Sequence, residues 1–160
     1  MAPPFPLPLR ELVLICLLTI LAGCASTPKP VPARPATTSP LLNYALSLQG
    51  APYRWGKGTP GEGFDCSGFV QHVYGRYGIR LPRTALQMAS VLPQVDNRYR
   101  QPGDLVFFNT TGQPFSHVGI YLGNDAFVHA SGSLGRVAVS RMDGPYWWEH
   151  FLGIRRPYHR

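Results

Sequence analysis

The chain has 160 residues, of which 44% are hydrophobic and 14% charged, and that is room for one domain and little more. So low a charged fraction excludes a solvated acidic or basic tail protein, and 12% aromatic content argues against global disorder. Fifteen Lys+Arg against eight Asp+Glu give a net charge of +7, which favours anionic partners such as nucleic acid, acidic lipid or a charged cell wall.

The first element is an address. Leu12 to Leu21 (LVLICLLTIL) is a short apolar run, well under the roughly 20 residues needed to span a bilayer. It suits the h-region of a secretory signal behind Arg10, although Glu11 offsets that charge and Pro3, Pro4, Pro6 and Pro8 crowd the start. Leu21-Ala22-Gly23-Cys24 resembles a bacterial lipobox: Ala22 and Gly23 are small enough for the peptidase, and the Cys24 thiol carries the lipid. An ordinary signal peptide with a chance Cys is the plainer alternative. Several acyl chains, at about 0.8 kcal/mol per buried CH₂, make a durable anchor. Ala25, where Asp would retain a lipoprotein in the inner membrane, favours the outer membrane.

Residues 26–40 (STPKPVPARPATTSP) contain Pro28, Pro30, Pro32, Pro35 and Pro40. Such a segment reads as an extended tether that, at ~3.1 Å per residue, holds a domain roughly 45 Å from the lipid. The expected organisation is therefore a signal at 1–23, a lipidated Cys24 with its tether at 24–40, and a folded domain at 41–160. Cys16 leaves with the signal and Cys24 carries lipid, so Cys66 is the domain's one remaining thiol. An unpaired Cys exported to an oxidising compartment is a candidate nucleophile.

Within the domain, Leu41 to Leu48 reads as a short helix closed by Gly50, and Ala51 to Gly63 as loop. Asp65 is an N-cap candidate for a helix from Cys66 to Tyr77, stopped by Gly78. Phe69, Val70, Val73, Tyr74 and Tyr77 form its buried stripe. Cys66 projects to the same side, whereas His72 falls on the opposite one as a surface residue. Thr84 to Ser90 follows Pro82 as a second short helix. The period then changes: Asp104–Phe108, His117–Leu122, Ala126–Ala130, Arg136–Ser140 and Phe151–Arg155 read as strands. Helices followed by a strand meander predict an α+β domain with an antiparallel sheet.

Three side chains carry candidate chemistry. Cys66 sits at a helix start, where unpaired N–H groups stabilise a thiolate; Asp65 opposes this, so an imidazole is needed. His117 and His129 flank Gly123-Asn124-Asp125. If those three residues are the loop, Gly119 faces His129, and the two His share a face as diagonal neighbours. A two-residue loop would put them on opposite faces. His117 is then the base for Cys66, with His129 orienting it as an Asp orients the His of a serine triad.

At these residues a family resemblance becomes specific. Pro52-Tyr53-Arg54-Trp55-Gly56, Phe64-Asp65-Cys66-Ser67-Gly68-Phe69-Val70, Pro102-Gly103-Asp104-Leu105-Val106-Phe107-Phe108, Ser116-His117-Val118-Gly119-Ile120-Tyr121 and Phe127-Val128-His129-Ala130-Ser131 together resemble the NlpC family of cell-wall cysteine peptidases. The resemblance implies a papain-like core of N-terminal helices packed on the sheet, cleaving amide bonds in peptidoglycan stem peptides or cross-links. It puts the catalytic set at Cys66, His117 and His129, with no metal or organic cofactor. It places Tyr53 to support the oxyanion or substrate carbonyl, with Asp65 and Ser67 lining the site where they could hold a stem peptide's amine. Lys57 stands where the family has Gly after Trp-Gly, and residues 58–63 lengthen that wall of the cleft.

Other readings stand beside this one. Cys66 could be an inert core thiol, Tyr53 a packed aromatic beside Trp55, and the Cys-His₂ set a Zn²⁺ site. A wall-binding lipoprotein that keeps the fold without catalysis is the rival function. Pro145 to Trp148 is expected to be core or cleft-rim packing, and Arg80, Arg83, Arg98 and Arg100 a solvated basic patch. His150 and His159 have no evident partner. No aromatic-interleaved basic motif suggests nucleic acid. A monomer, lipid-anchored in the outer membrane and facing the periplasm, is expected.

Overall fold

Pro40 opens the first helix, α1 (Pro40–Ser47), one residue before the boundary expected from sequence, because a first-turn Pro gives up only an N–H that has no helical partner. The computed structural model describes residues 39–157. The signal segment, Cys24, nearly all of the tether and His159 lie outside the described residues. Helix α1 buries Leu42, Ala45 and Leu46 and docks on α2 (Cys66–Gly75) through Tyr44, whose hydroxyl lies 2.7 Å from His72 Nε2. His72 is thus half-buried between Tyr44 and Phe64 rather than a plain surface residue, its ring 5.3 Å from that of Phe64.

The segment expected to be loop contains a small antiparallel ribbon, β1 (Gly58–Thr59) with β2 (Gly63–Phe64). Strands of two residues leave no alternation to read. The ribbon lies against α2 at Gly68, where an added Cβ would stand 2.2 Å from the Lys57 carbonyl oxygen and 3.0 Å from Gly58 Cα. Only glycine lets these two backbones approach. Helix α3 (Ala85–Val91) begins at a capping box in which Thr84 and Gln87 each satisfy the other's backbone N–H.

The remaining strands are β3 (Gln94–Val95), β4 (Leu105–Phe108), β5 (His117–Gly123), β6 (Ala126–Ser131), β7 (Arg136–Arg141) and β8 (Phe151–Arg155). They form one antiparallel sheet in the order β3-β8-β4-β5-β6-β7. The five strands expected from sequence are present, and two-residue β3 is the addition. A helix, α4 (Pro145–His150), sits between β7 and β8. Helices α1, α2 and α3 share a core with Leu105, Phe107, Val118, Ile120, Val128 and Ala130 of the sheet. Val106, Phe108, Phe127 and Ile154 point the other way and pack with Trp147 of α4. The fold is the expected α+β arrangement, with both sheet faces covered.

The β5–β6 hairpin corrects one expectation. Gly123 pairs directly with Ala126, so the loop has two residues, Asn124 and Asp125, both at positive φ (50° and 57°), as a type I′ turn requires. A two-residue loop alone would separate the two histidines. A bulge between Tyr121 and Gly123 adds the missing residue on one strand. The register beyond it pairs Ile120 with Val128, so His117 and His129 regain a common face.

Candidate active site

The nucleophile candidate is held by its neighbour. Asp65 caps α2 by accepting from Gly68 N–H at 2.6 Å, and it also accepts from Gly56 N–H at 3.0 Å. Arg83 donates to both carboxylate oxygens, at 3.0 and 2.6 Å, and to Ser67 Oγ at 3.0 Å; Ser67 Oγ in turn lies 3.3 Å from Asp65 Oδ1. The carboxylate is saturated, so a substrate amine would compete with a guanidinium for it. Asp65 and Ser67 line the groove beside Cys66. Arg83, although substantially exposed, is thus paired with Asp65, and Arg98 and Arg100 are paired with Asp96 and Asp125.

Cys66 is the first residue of α2 and is 9% exposed. Its Sγ lies 3.9 Å from the Ser116 carbonyl oxygen, and the Val118 N–H stabilises its thiolate form. The sulfur therefore rests against the backbone on either side of His117, where β5 begins. Burial pushes the thiol pKa up and Asp65 adds to this, while the N–H groups of Val118, Ser67 and Cys66 oppose it.

His117 and His129 meet as the register demands, with Nε2 of His117 2.8 Å from Nδ1 of His129 and the rings nearly perpendicular (88°). Gly119 makes room: an added Cβ would stand 2.6 Å from the Phe127 ring and 3.2 Å from His129 Cβ. His129 Nε2 lies 2.9 Å from Ser140 Oγ. Burial lowers the His117 pKa to about 4, and burial together with the His117 charge lowers that of His129. Trp147 covers the pair, its ring 5.5 Å from His117 and 5.0 Å from His129. The cleft-rim expectation for α4 is thereby met by Trp147 and Tyr146.

Cys66, His117 and Tyr53 line one cavity of about 240 Å³. Tyr53 is half-buried, and its hydroxyl takes no hydrogen-bond partner among the described residues. Its pKa is raised, first by burial and then by Cys66 and Asp65, which keeps it a donor. A groove of about 630 Å³ continues past Cys66 between Trp55 and Arg83. Among the described residues no three His, Cys, Asp or Glu side chains are disposed to hold a metal ion. His117 and His129 direct the facing nitrogens at each other.

A thiol, an imidazole with one free nitrogen and an unengaged phenol around one cavity can perform thiolate acyl transfer. Arg83 and Ser140 escape sequence reasoning for different reasons. Nothing in its spacing links Arg83 to Asp65. Ser140 would have followed from register: Ala138 pairs with His129, and Ser140 is its diagonal neighbour on the same face.

The model of the NlpC/P60 family matches residues 50–156. The chain belongs to that family. It is 43% identical over 152 residues to the probable endopeptidase NlpC of Escherichia coli K12, covering 91% of this chain and 97% of that protein. It is 40% identical over 119 residues to the E. coli K12 murein DD-endopeptidase MepS/murein LD-carboxypeptidase, covering 74% of this chain and 62% of that one. A solved lipoprotein-like NLP/P60 structure from Staphylococcus aureus superposes with a TM-score of 0.68 at 35% identity, over 75% of this chain and 41% of that one. The NlpC/P60 membership and the papain-like α+β fold expected from the motifs agree with these matches.

Proposed function

We propose that the protein is a peptidoglycan endopeptidase of the cysteine type, with Cys66 as nucleophile, His117 as base and His129 as its orienting partner. One observation carries this reading: the Cys66 sulfur rests on the backbone flanking His117, whose ring is held by His129. The name of the E. coli murein DD-endopeptidase relative supports the murein substrate, and that of the probable endopeptidase supports the reaction class.

The chemistry runs through His117 Nδ1, the nitrogen not engaged with His129. Burial disfavours a lone thiolate and a lone imidazolium alike, so the resting pair is neutral and the two charges form together. Nδ1 takes the Sγ proton as sulfur attacks the amide carbon. The oxyanion then accepts from the Cys66 N–H, a first-turn donor without an intrahelical partner, and from the Tyr53 hydroxyl. Collapse breaks the C–N bond while Nδ1–H protonates the leaving amine, giving a thioester. A water gives its proton to Nδ1, attacks the thioester, and restores the thiol with release of the acid. The stem-peptide bond is γ-D-glutamyl–diaminopimelate or D-alanyl–diaminopimelate, and the Lys57–Gly63 wall is where such enzymes would differ.

Lipid attachment at Cys24, with the domain tethered to the outer membrane, completes the reading; it rests on Leu21-Ala22-Gly23-Cys24 followed by Ala25. Digestion of purified murein sacculi, with product masses read from a defined muropeptide, tests the activity and names the bond. Cys66→Ala should release no fragments, and release at the wild-type rate would return the chain to a wall-binding lipoprotein. Labelled palmitate should enter the wild-type chain and not Cys24→Ala.

A further inference from the structure

The mechanism leaves one contact unused, that between His129 Nε2 and Ser140 Oγ at 2.9 Å. We propose that Ser140 is a positioning residue whose hydroxyl, by accepting the Nε2 proton of His129, sustains the tautomer that leaves His117 free to act as base. The inference rests on the Cys66–His117 reading above.

Proton bookkeeping leads there. For His117 Nδ1 to receive a proton from sulfur, the resting ring must carry its own on Nε2. That Nε2–H donates across the 2.8 Å contact to His129 Nδ1, which forces the proton of His129 onto its Nε2. His129 is completely buried, and a buried N–H without an acceptor bears its full desolvation cost. Ser140 Oγ is the acceptor within reach. Ser140 is itself partly exposed, so its hydroxyl proton can turn to water and leave a lone pair for His129. Without the hydroxyl the cheaper state is the reverse one. His129 then carries its proton on Nδ1 and donates it to His117 Nε2, and the His117 proton moves to Nδ1, where the base is lost.

Register makes the relation specific. His117 is the diagonal neighbour of His129 across β5–β6, and Ser140 is its diagonal neighbour across β6–β7. The three side chains form a line over the sheet face that Trp147 covers.

Ser140→Val and Ser140→Thr test the idea, since the two variants share a shape and differ in the hydroxyl; Ser140→Ala replaces the valine variant if that one folds poorly. In the full chain with ¹⁵N-labelled histidine, Val (or Ala) should move the His129 proton from Nε2 to Nδ1. On a muropeptide it should lower kcat by about 10–100-fold, the range that follows loss of an outer partner orienting a metal-bound imidazole, with KM little changed. Thr should keep the wild-type tautomer and restore kcat to within a few-fold. A valine variant with wild-type kcat and an Nε2-protonated His129 overturns the assignment, as does a threonine variant impaired equally with valine. The tautomer measurement needs no turnover, so it still decides the role of Ser140 if the wild-type chain proves to cleave no murein.

Discussion

The two halves of the site are built by different means. At the start of α2, one tetrapeptide, Asp65-Cys66-Ser67-Gly68, supplies the cap, the thiol and the close backbone approach, and N–H groups there partly offset the effect of burial on the sulfur. On the sheet, His117 and His129 belong to separate strands joined by a bulged hairpin, and their chemistry is set by exclusion of water under Trp147. The nucleophile is therefore tuned by burial first and then by the Val118 N–H and by a charge and N–H groups close in sequence, whereas the base is tuned by burial alone. Damage should follow the same division. Changes near Cys66 should alter thiol reactivity locally, while changes around the imidazoles should couple activity to stability.

The largest expected effect falls on the chemistry. His117→Ala should lower murein hydrolysis by at least about 10⁴-fold, as removal of a base that works as a unit with its nucleophile does. It should also lower the melting temperature, because it leaves a cavity beside Trp147 and an unpaired nitrogen on buried His129. A residual rate within tenfold of wild type would remove His117 from the base role. Next, Gly119→Ala should disturb both properties, because its Cβ meets the Phe127 ring and His129 Cβ. Overpacking of this kind costs about 1–3 kcal/mol, measurable by urea denaturation, and should displace His129 enough to reduce kcat.

Acid should expose the buried base. The His117 pKa is lowered to about 4 from its ordinary 6.5, so between these values the unfolded chain binds the extra proton. Stability is then complete above pH 6.5 and falls as pH drops toward 4, by about 3 kcal/mol for this group. Melting curves across the window should show the loss, and His117→Gln should make it shallower, leaving the part that belongs to buried His129. An equally steep dependence in the variant would place the sensitivity elsewhere.

The smallest effect belongs to the Asp65–Arg83 pair. Arg83 stands near Cys66 and offsets the Asp65 charge that raises the thiol pKa. Because Arg83 is substantially exposed, solvent weakens its influence. Arg83→Gln should slow alkylation of Cys66 by iodoacetamide at neutral pH by only several-fold, and Asp65→Asn should shift it the other way. No change in either variant would make the pair purely a helix brace.

Much of this arrangement was legible in advance because the signals are local. Asp65 ahead of an apolar stripe marks a capped helix, and the alternating segments after Gly103 mark strands whatever they pair with. The common face of His117 and His129 was reached through a three-residue loop, yet the molecule uses a two-residue turn and a bulge. Both routes give the same parity, and parity was all the argument needed. Residues 58–64 and 94–95 stayed hidden because two-residue strands have no period.

Residue order by itself determined that the Cys66 thiol would stand at a helix start and that two histidines would lie on adjacent strands, since caps and alternation act over a few residues. Tertiary structure alone decided that Arg83 closes on Asp65, that Trp147 covers the imidazoles and that Ser140 completes their line. Those relations join segments from 11 to 30 residues apart, and neither burial nor register exists until the sheet has formed.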